Sequence, residues 1–494
     1  MKSCVYKTIL SIIITTVVLF NAPLCPAQYK VIKGIPSQVD FSKTLREWDG
    51  FGFNYVEIAQ TDDPVNKPQE YGGFSLLDEQ EKKEIIDLVF GENGLQVSLL
   101  KMFLDPWHQG EPGGPFDHVS TTQNMLDFAI AGNKAAQQRK GDLAIITTLY
   151  GPPAWATQQK FLQGRDLDPK MKMALAEYMI DWVRFLKKEN GLPVKYLSLH
   201  NEGEDWIRWA WDGTKKGIFD YNMYWPNEQV NDFLKFMPDL LKKAGLSDVG
   251  VTNGEPSNWY RFSTWGIAEA LHDDDATLNN LSIITSHGFY GGLEMKRWFA
   301  DHRSAGTDLI REKKPGLHAW VTSTGWGKMD AMFIREIHSN IYSAKVNAII
   351  PWAGIQRPTQ WEGGDPNAGS AINVNEDGSY EVRKGYYFYK QVSRAGQPGM
   401  AVARTSAADT KASIIGFASN GTSHPDAFIL INWDTEWDKI FDLQVKGTQA
   451  TRFHAFRTDN DSENYIDLGL YELDNGNLLY NAPINSVTTF YATE

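Results

Sequence analysis

Val194-Lys-Tyr-Leu-Ser-Leu-His200-Asn201-Glu202 reads as a short buried strand that runs out onto a carboxylic acid. The residues before it read as a helix. Asp168 caps, Pro169 takes the first helical position, and Leu175, Met179, Trp182, Val183 and Leu186 form one apolar stripe that Gly191 ends. A helix that delivers the chain to a buried strand is the repeating unit of a parallel sheet.

The unit recurs on both sides. A helix from Asp78 to Phe90, stopped at Gly91, leads into another apolar run. The strand-like runs are Gly50–Asn54, Val97–Phe103, Leu143–Leu149, Tyr196–Leu199, Val249–Thr252, Ile283–His287, Ala319–Thr322 and Ala348–Trp352, with amphipathic stretches between them. Eight such strands predict an α/β chain closed into a (β/α)8 TIM barrel. Beyond about residue 395 the pattern becomes alternating strands and polar turns (Ile414–Phe417, Ala427–Ile431, Phe441–Val445, Thr451–Phe456, Ser486–Tyr491), as in an attached antiparallel β-sandwich. The expected division is residues 1–27 as a signal peptide, 28–47 as one or two strands joining the sandwich, 48–390 as the barrel and 391–494 as the sandwich. No internal repeat, low-complexity tract or long linker interrupts the chain, so the sandwich is expected to pack on the barrel.

Lys2 and Lys7, the apolar stretch Ile9–Phe20 and the following Ala22-Pro-Leu-Cys-Pro-Ala27 have the form of a secretory signal cut after Ala27. The expected location is therefore secreted or periplasmic. Cys25 admits a lipoprotein, but the Ala-Pro-Leu before it is a poor lipobox. No stretch approaches the roughly 20 apolar residues of a membrane span. Both cysteines, Cys4 and Cys25, fall in the leader, which leaves the rest without disulfides or a thiol nucleophile. A net charge of −13, more negative still without the two leader lysines, argues against nucleic acid or an anionic membrane as partner. Aromatics make up 13% of the chain, with 17 Trp, which suits either a large core or stacking surfaces for ring-shaped ligands.

In a (β/α)8 barrel the functional site lies at the carboxyl ends of the strands. There this chain carries Asp105-Pro-Trp107-His108, Tyr150-Gly-Pro-Pro-Ala-Trp155, His200-Asn201-Glu202, Asn253-Gly-Glu255, His287-Gly-Phe-Tyr290, Ser323, and Trp352 with Gln356 and Arg357. Their convergence on one rim defines the candidate site. Several of these pieces occur in order with Trp48-Asp-Gly-Phe-Gly52, Leu199-His-Asn-Glu202, Trp320-Val-Thr-Ser323, Ser393-Arg-Ala-Gly-Gln-Pro-Gly399 and Ser486-Val-Thr-Thr-Phe490. Together they resemble the clan A glycoside hydrolases, and most closely glycoside hydrolase family 30, across nearly the whole chain after the leader.

That resemblance implies a hydrolase of O-glycosidic bonds in a poly- or oligosaccharide, without cofactor or metal, with Glu202 as general acid/base and Asn201 bonding a sugar hydroxyl. A glycosidic oxygen leaves poorly until protonated, so an acid must reach it. The family's nucleophile falls at Ser323, whose hydroxyl is not ionised near neutral pH and needs an adjacent base. A retaining double displacement through Ser323 is therefore disfavoured. An inverting mechanism needs only a base to activate water, and Glu255 is the first candidate, ahead of Asp105, Glu204 and Glu57. A displaced carboxylate nucleophile and a pseudo-enzyme that only binds glycans are the other readings of the serine. A lyase on a uronic-acid polymer, with Tyr290 or Glu202 as base and Arg357 holding the carboxylate, is a further alternative. His200, Glu202 and Glu204 alternate and could share one side of an extended segment as metal ligands, which the family does not imply. His287 and Tyr290 are expected to contact sugar or orient a carboxylate, Trp155, Trp206, Trp259, Trp326 and Trp352 to stack on sugar, and Arg357 or Arg208 to meet an anionic group. The chain is expected to act as a monomer on a carbohydrate.

Overall fold

Leu99-Leu-Lys-Met-Phe-Leu104 shows why a barrel forms, because all six residues are buried and only a strand covered on both faces tolerates such a run. A computed structural model describes residues 34–206, 220–289, 303–361 and 369–493. Strand β1 (Ile35–Glu47) precedes the barrel strands β2 (Gly50–Asn54), β3 (Leu99–Leu104), β4 (Ala144–Leu149), β5 (Val194–Ser198), β6 (Gly250–Thr252), β7 (Leu281–Ser286), β8 (Ala319–Thr324) and β9 (Ala348–Pro351). They pair in sequence order and β2 closes in parallel on β9. Each of the eight overlaps a run read from the sequence.

Period-two alternation stacks the barrel interior in tiers. Leu99, Ile146, Ile283, Trp320, Ala348 and Ile350 form an apolar cluster of their own. Two residues further along their strands, Lys101, Thr148, Thr285 and Thr322 are fully buried and bring polar atoms inside. The candidate site rests on this tier.

After β9 the chain makes a small sheet of β10 (Ile355–Gln356), β11 (Ile372–Val374) and β12 (Tyr380–Val382), which the sequence reading did not anticipate. Then follow β13 (Ala401–Ala407), β14 (Ala412–Ala418), β15 (Ala427–Asn432), β16 (Lys439–Lys446), β17 (Arg452–Asp459), β18 (Ile466–Glu472), β19 (Asn477–Ala482) and β20 (Ser486–Thr493). With β1 they form one nine-stranded sheet in the order β18-β17-β20-β15-β14-β13-β1-β16-β19. It is mixed, because β1 lies antiparallel to β13 but parallel to β16. A parallel neighbour needs a long crossover, and here the barrel itself lies between the two strands. Barrel and sheet belong to one compact unit and share a core: the Trp48 ring lies 4.9 Å from Phe51 and 5.3 Å from Phe417. Tyr389 Oη donates to the carbonyl of Gly52 at 2.6 Å.

The leader lies outside the described residues, as do Tyr290 and Arg208. Among the described residues no helix is long and apolar enough to cross a membrane.

Candidate active site

The ladder between β5 and β6 continues past the strand ends. An Asn201 to Glu255 bridge is closed by Glu202 N–H donating to Glu255 O at 2.8 Å and Glu255 N–H donating to His200 O at 2.9 Å. These bonds hold Glu202 at φ 44°, a left-handed conformation uncommon for a residue with a Cβ and frequent at functional sites. Next to it the neutral His200 ring lies so close to Gly254 that a Cβ there would meet it at 2.2 Å. Burial pushes the His200 imidazole down to about 4, and its Nδ1 accepts from Gly203 N–H at 3.0 Å.

Four ionisable side chains then follow one another inward. His287 Nδ1 lies 3.1 Å from Glu202 Oε1, and its Nε2 lies 3.1 Å from Glu255 Oε2. Glu255 also accepts from Thr148 Oγ1 at 2.6 Å and from the Lys101 ammonium. Burial raises the Glu255 carboxyl, but Lys101 and His287 outweigh it and hold the group at about 2. Burial lowers Lys101 against the pull of Glu255. His287 is pushed down by burial and by Lys101, yet its bonds to Glu202 and Glu255 carry it upward overall.

A neutral imidazole has one N–H, and His287 bonds two carboxyl groups, so a further proton is needed. Because Glu255 is held ionised, that proton resides on the Glu202 to His287 contact. It is stored beside the residue that the sequence singled out as an acid.

Glu255 does not fit the role of base expected for it. The imidazole and its two bonds set the Glu202 and Glu255 oxygens roughly 8 Å apart, within the range of about 6.5–9.5 Å for an acid and a water-activating base. The intervening space, however, holds the His287 ring. Glu255 is 0% exposed, and a carboxylate held at about 2 is a poor proton acceptor. The other three candidates are also engaged. Glu57 accepts from Met125 N–H and Asn124 Nδ2 at a helix start, and burial pushes it up to about 8. Asp105 accepts from Trp107 N–H and Thr121 and heads a chain through His108 and His118 to Asp181. Glu204 accepts from Ser257 and Arg261. His200, Glu202 and Glu204 thus diverge, and the described residues contain no metal-holding group.

The end of β8 is different. A register shift between Val321 and Thr324 turns Thr324 outward, where its hydroxyl reaches Glu336 on the helix Ala331–Tyr342. Ser323 is thereby left on the barrel side, 1% exposed, with a hydroxyl that has no partner among the described residues.

The remaining expected contacts separate into two groups. Asn201 Nδ2 donates to Asn222 Oδ1 at 2.8 Å, and Trp155 stays half-buried on the rim with its Nε1 bonded to Gln109 O. Trp352 joins Phe103, Tyr71 and Trp361 in an aromatic group at the barrel end. Trp326 and Trp259 offer no face to a ligand, since each is 1% exposed: Trp326 packs on Phe333 and Tyr389, and Trp259 on Phe262. Arg357 is taken up by a bidentate pair with Glu376, which ties β10 to the turn between β11 and β12. Lys101 was missed altogether.

A parallel eight-stranded barrel carrying a docked β-sheet is a fold this chain shares with solved glycoside hydrolases of family 30. The chain shares its fold with a family 30 subfamily 8 xylanase from Clostridium acetobutylicum at TM-score 0.68 and 19% identity, over 93% of this chain and all of that one. A conserved exported protein from Bacteroides fragilis superposes at TM-score 0.69 and 14% identity, over 92% of this chain and 99% of that one. An endo-β-1,6-glucanase does so at 0.66 and 15%, over 93% and 94%. No protein-family model matches the sequence, and no curated protein does.

Proposed function

We propose that the protein is an exported glycoside hydrolase that cleaves O-glycosidic bonds of a poly- or oligosaccharide by a non-retaining route with Glu202 as proton donor. The observation that carries this reading is the Glu202, His287, Glu255 and Lys101 chain, which keeps a proton at the acid while Ser323 occupies the other side of the reaction. Glu202 gives its proton to the glycosidic oxygen as the bond to the anomeric carbon breaks. A water oxygen bonds to that carbon from the opposite face, held by the Ser323 hydroxyl; the proton it releases passes to solvent, and Glu202 takes a proton back from solvent once the product leaves. Glu255 and Lys101 act through His287 and are positioning residues. With Glu255, Glu57, Asp105 and Glu204, the carboxylates weighed as base, all engaged, attack falls late on an oxocarbenium-like carbon, and turnover is slow. The leader-like residues 1–27 support export.

The shared fold with a xylanase and a β-1,6-glucanase makes xylan and β-1,6-glucan the first substrates to try, beside uronic-acid polymers. Release of reducing ends by the wild type and its loss in Glu202→Gln is the expected result. Products that absorb in the ultraviolet identify a lyase, and binding without any shortening identifies a glycan-binding protein; either contradicts the proposal.

A further inference from the structure

A cleft of about 380 Å³ beside the acid plays no part in the proton chain. Its walls come from the segments that follow β5 and β6, and include Glu204, Trp206, Tyr224, Glu228 and Trp265. Trp206, four residues on from the acid, is 58% exposed. Trp265 is pinned by the Arg261 guanidinium, 4.4 Å from its ring centre. The same Arg261 bonds Glu204 Oε1 at 3.1 Å and pairs with Asp205 at 2.9 Å, so ring and carboxylates are fixed together in advance. Glu204 Oε2 is buried and has no partner among the described residues. The floor is joined to the turn carrying Glu202, because Trp225 N–H donates to Gly203 O at 2.8 Å.

We propose that this cleft is a subsite for an uncharged pyranose ring of the same glycan that Glu202 cleaves, an inference that rests on the hydrolase reading above. A pyranose has an apolar C–H face and a rim of hydroxyls. The exposed indole of Trp206 matches the first, and Asn227 and Glu228 on the wall accept from the second. The volume is at the small end of ligand sites, about 300–1,000 Å³, which suits one or two rings. Among the described residues that line the cleft Glu204 and Glu228 are acidic and none is basic, which disfavours a uronate. Arg357, the cation expected to hold one, is occupied by Glu376.

The test uses the full-length Glu202→Gln protein, with and without Trp206→Ala, in calorimetric titrations with xylo-oligosaccharides, β-1,6-gluco-oligosaccharides and oligogalacturonides of two to six rings. One neutral series is expected to bind more tightly with length, and Trp206→Ala to weaken its hexamer about tenfold while leaving the dimer unchanged. Trp206 is exposed, so its loss leaves the fold intact, and an unchanged melting temperature verifies this. Equal hexamer affinity in both proteins, tightest binding of an oligogalacturonide, or no binding by any probe overturns the subsite. Binding that depends on Trp206 with no cleavage by the wild type removes the hydrolase reading and keeps the subsite; cleavage with binding indifferent to Trp206 does the reverse.

Discussion

The ends of β5, β6 and β7 bring together linked charged side chains, and the end of β8 turns a serine hydroxyl to the barrel side. On the first side Glu202, Glu255, His287 and Lys101 are all buried and each is paired. On the second, Ser323 offers one hydroxyl without a partner among the described residues. Four buried ionisable groups are costly to keep, and they persist where each neutralises the next. On the proposed reading the contrast separates two tasks that a pair of carboxylates usually shares: the β5 to β7 side serves proton delivery, and the position at the end of β8 is held by a serine in place of an ionised nucleophile.

Removing the proton donor should have the largest effect. Glu202→Gln is expected to lower kcat by about 10³ or more with glycan binding retained, as judged by reducing-end release and calorimetry. Breaking the inner pair comes next. Lys101→Met strands Glu255 without its cation, and should cost about 3–5 kcal/mol in denaturant unfolding, with Lys101→Met/Glu255→Gln recovering much of it. If the single variant is as stable as the wild type, the inner pair is not what holds the chain together.

His287→Ala should lower kcat by about 10² and move the alkaline limb of the pH profile to lower pH, because Glu202 then lacks the neighbour that keeps its proton. An unchanged limb would assign His287 a purely structural part. The Glu255 carboxyl, lowered from 4.5 to about 2, adds a linked effect. Its stabilisation is fully present above the unfolded value and is lost as pH falls toward the folded one, so the melting temperature should decline between about pH 4.5 and 2, less steeply in Glu255→Gln. Ser323→Ala should have the smallest effect on stability, within about 1 kcal/mol of neutral, since the hydroxyl bonds none of the described residues.

The barrel was legible because strands buried on both faces must be written as apolar runs, and runs such as Leu99–Leu104 have few other uses. β18 and β19 were harder to see, since each shows one face to solvent and carries no unbroken apolar run. The parallel pairing of β1 with β16 joins segments some 400 residues apart, which no local pattern encodes. At the site Glu202 was found from its place at a strand end. Glu255 was placed at a strand end for the same reason, but its burial against Lys101 and His287 depends on the whole barrel, which no local pattern encodes. Lys101 left a readable signal: a lysine inside a run buried on both faces must meet a carboxylate, and period-two alternation directs it inward.

The anomeric form of freshly released sugar, followed by proton NMR before mutarotation, bears most directly on the division of labour between Glu202 and Ser323. Inverted configuration from the wild type, turning to retained in Ser323→Glu, is expected if water attacks where a carboxylate nucleophile would otherwise stand. Retained configuration from the wild type would mean that a covalent glycosyl intermediate forms after all, and would contradict the assignment.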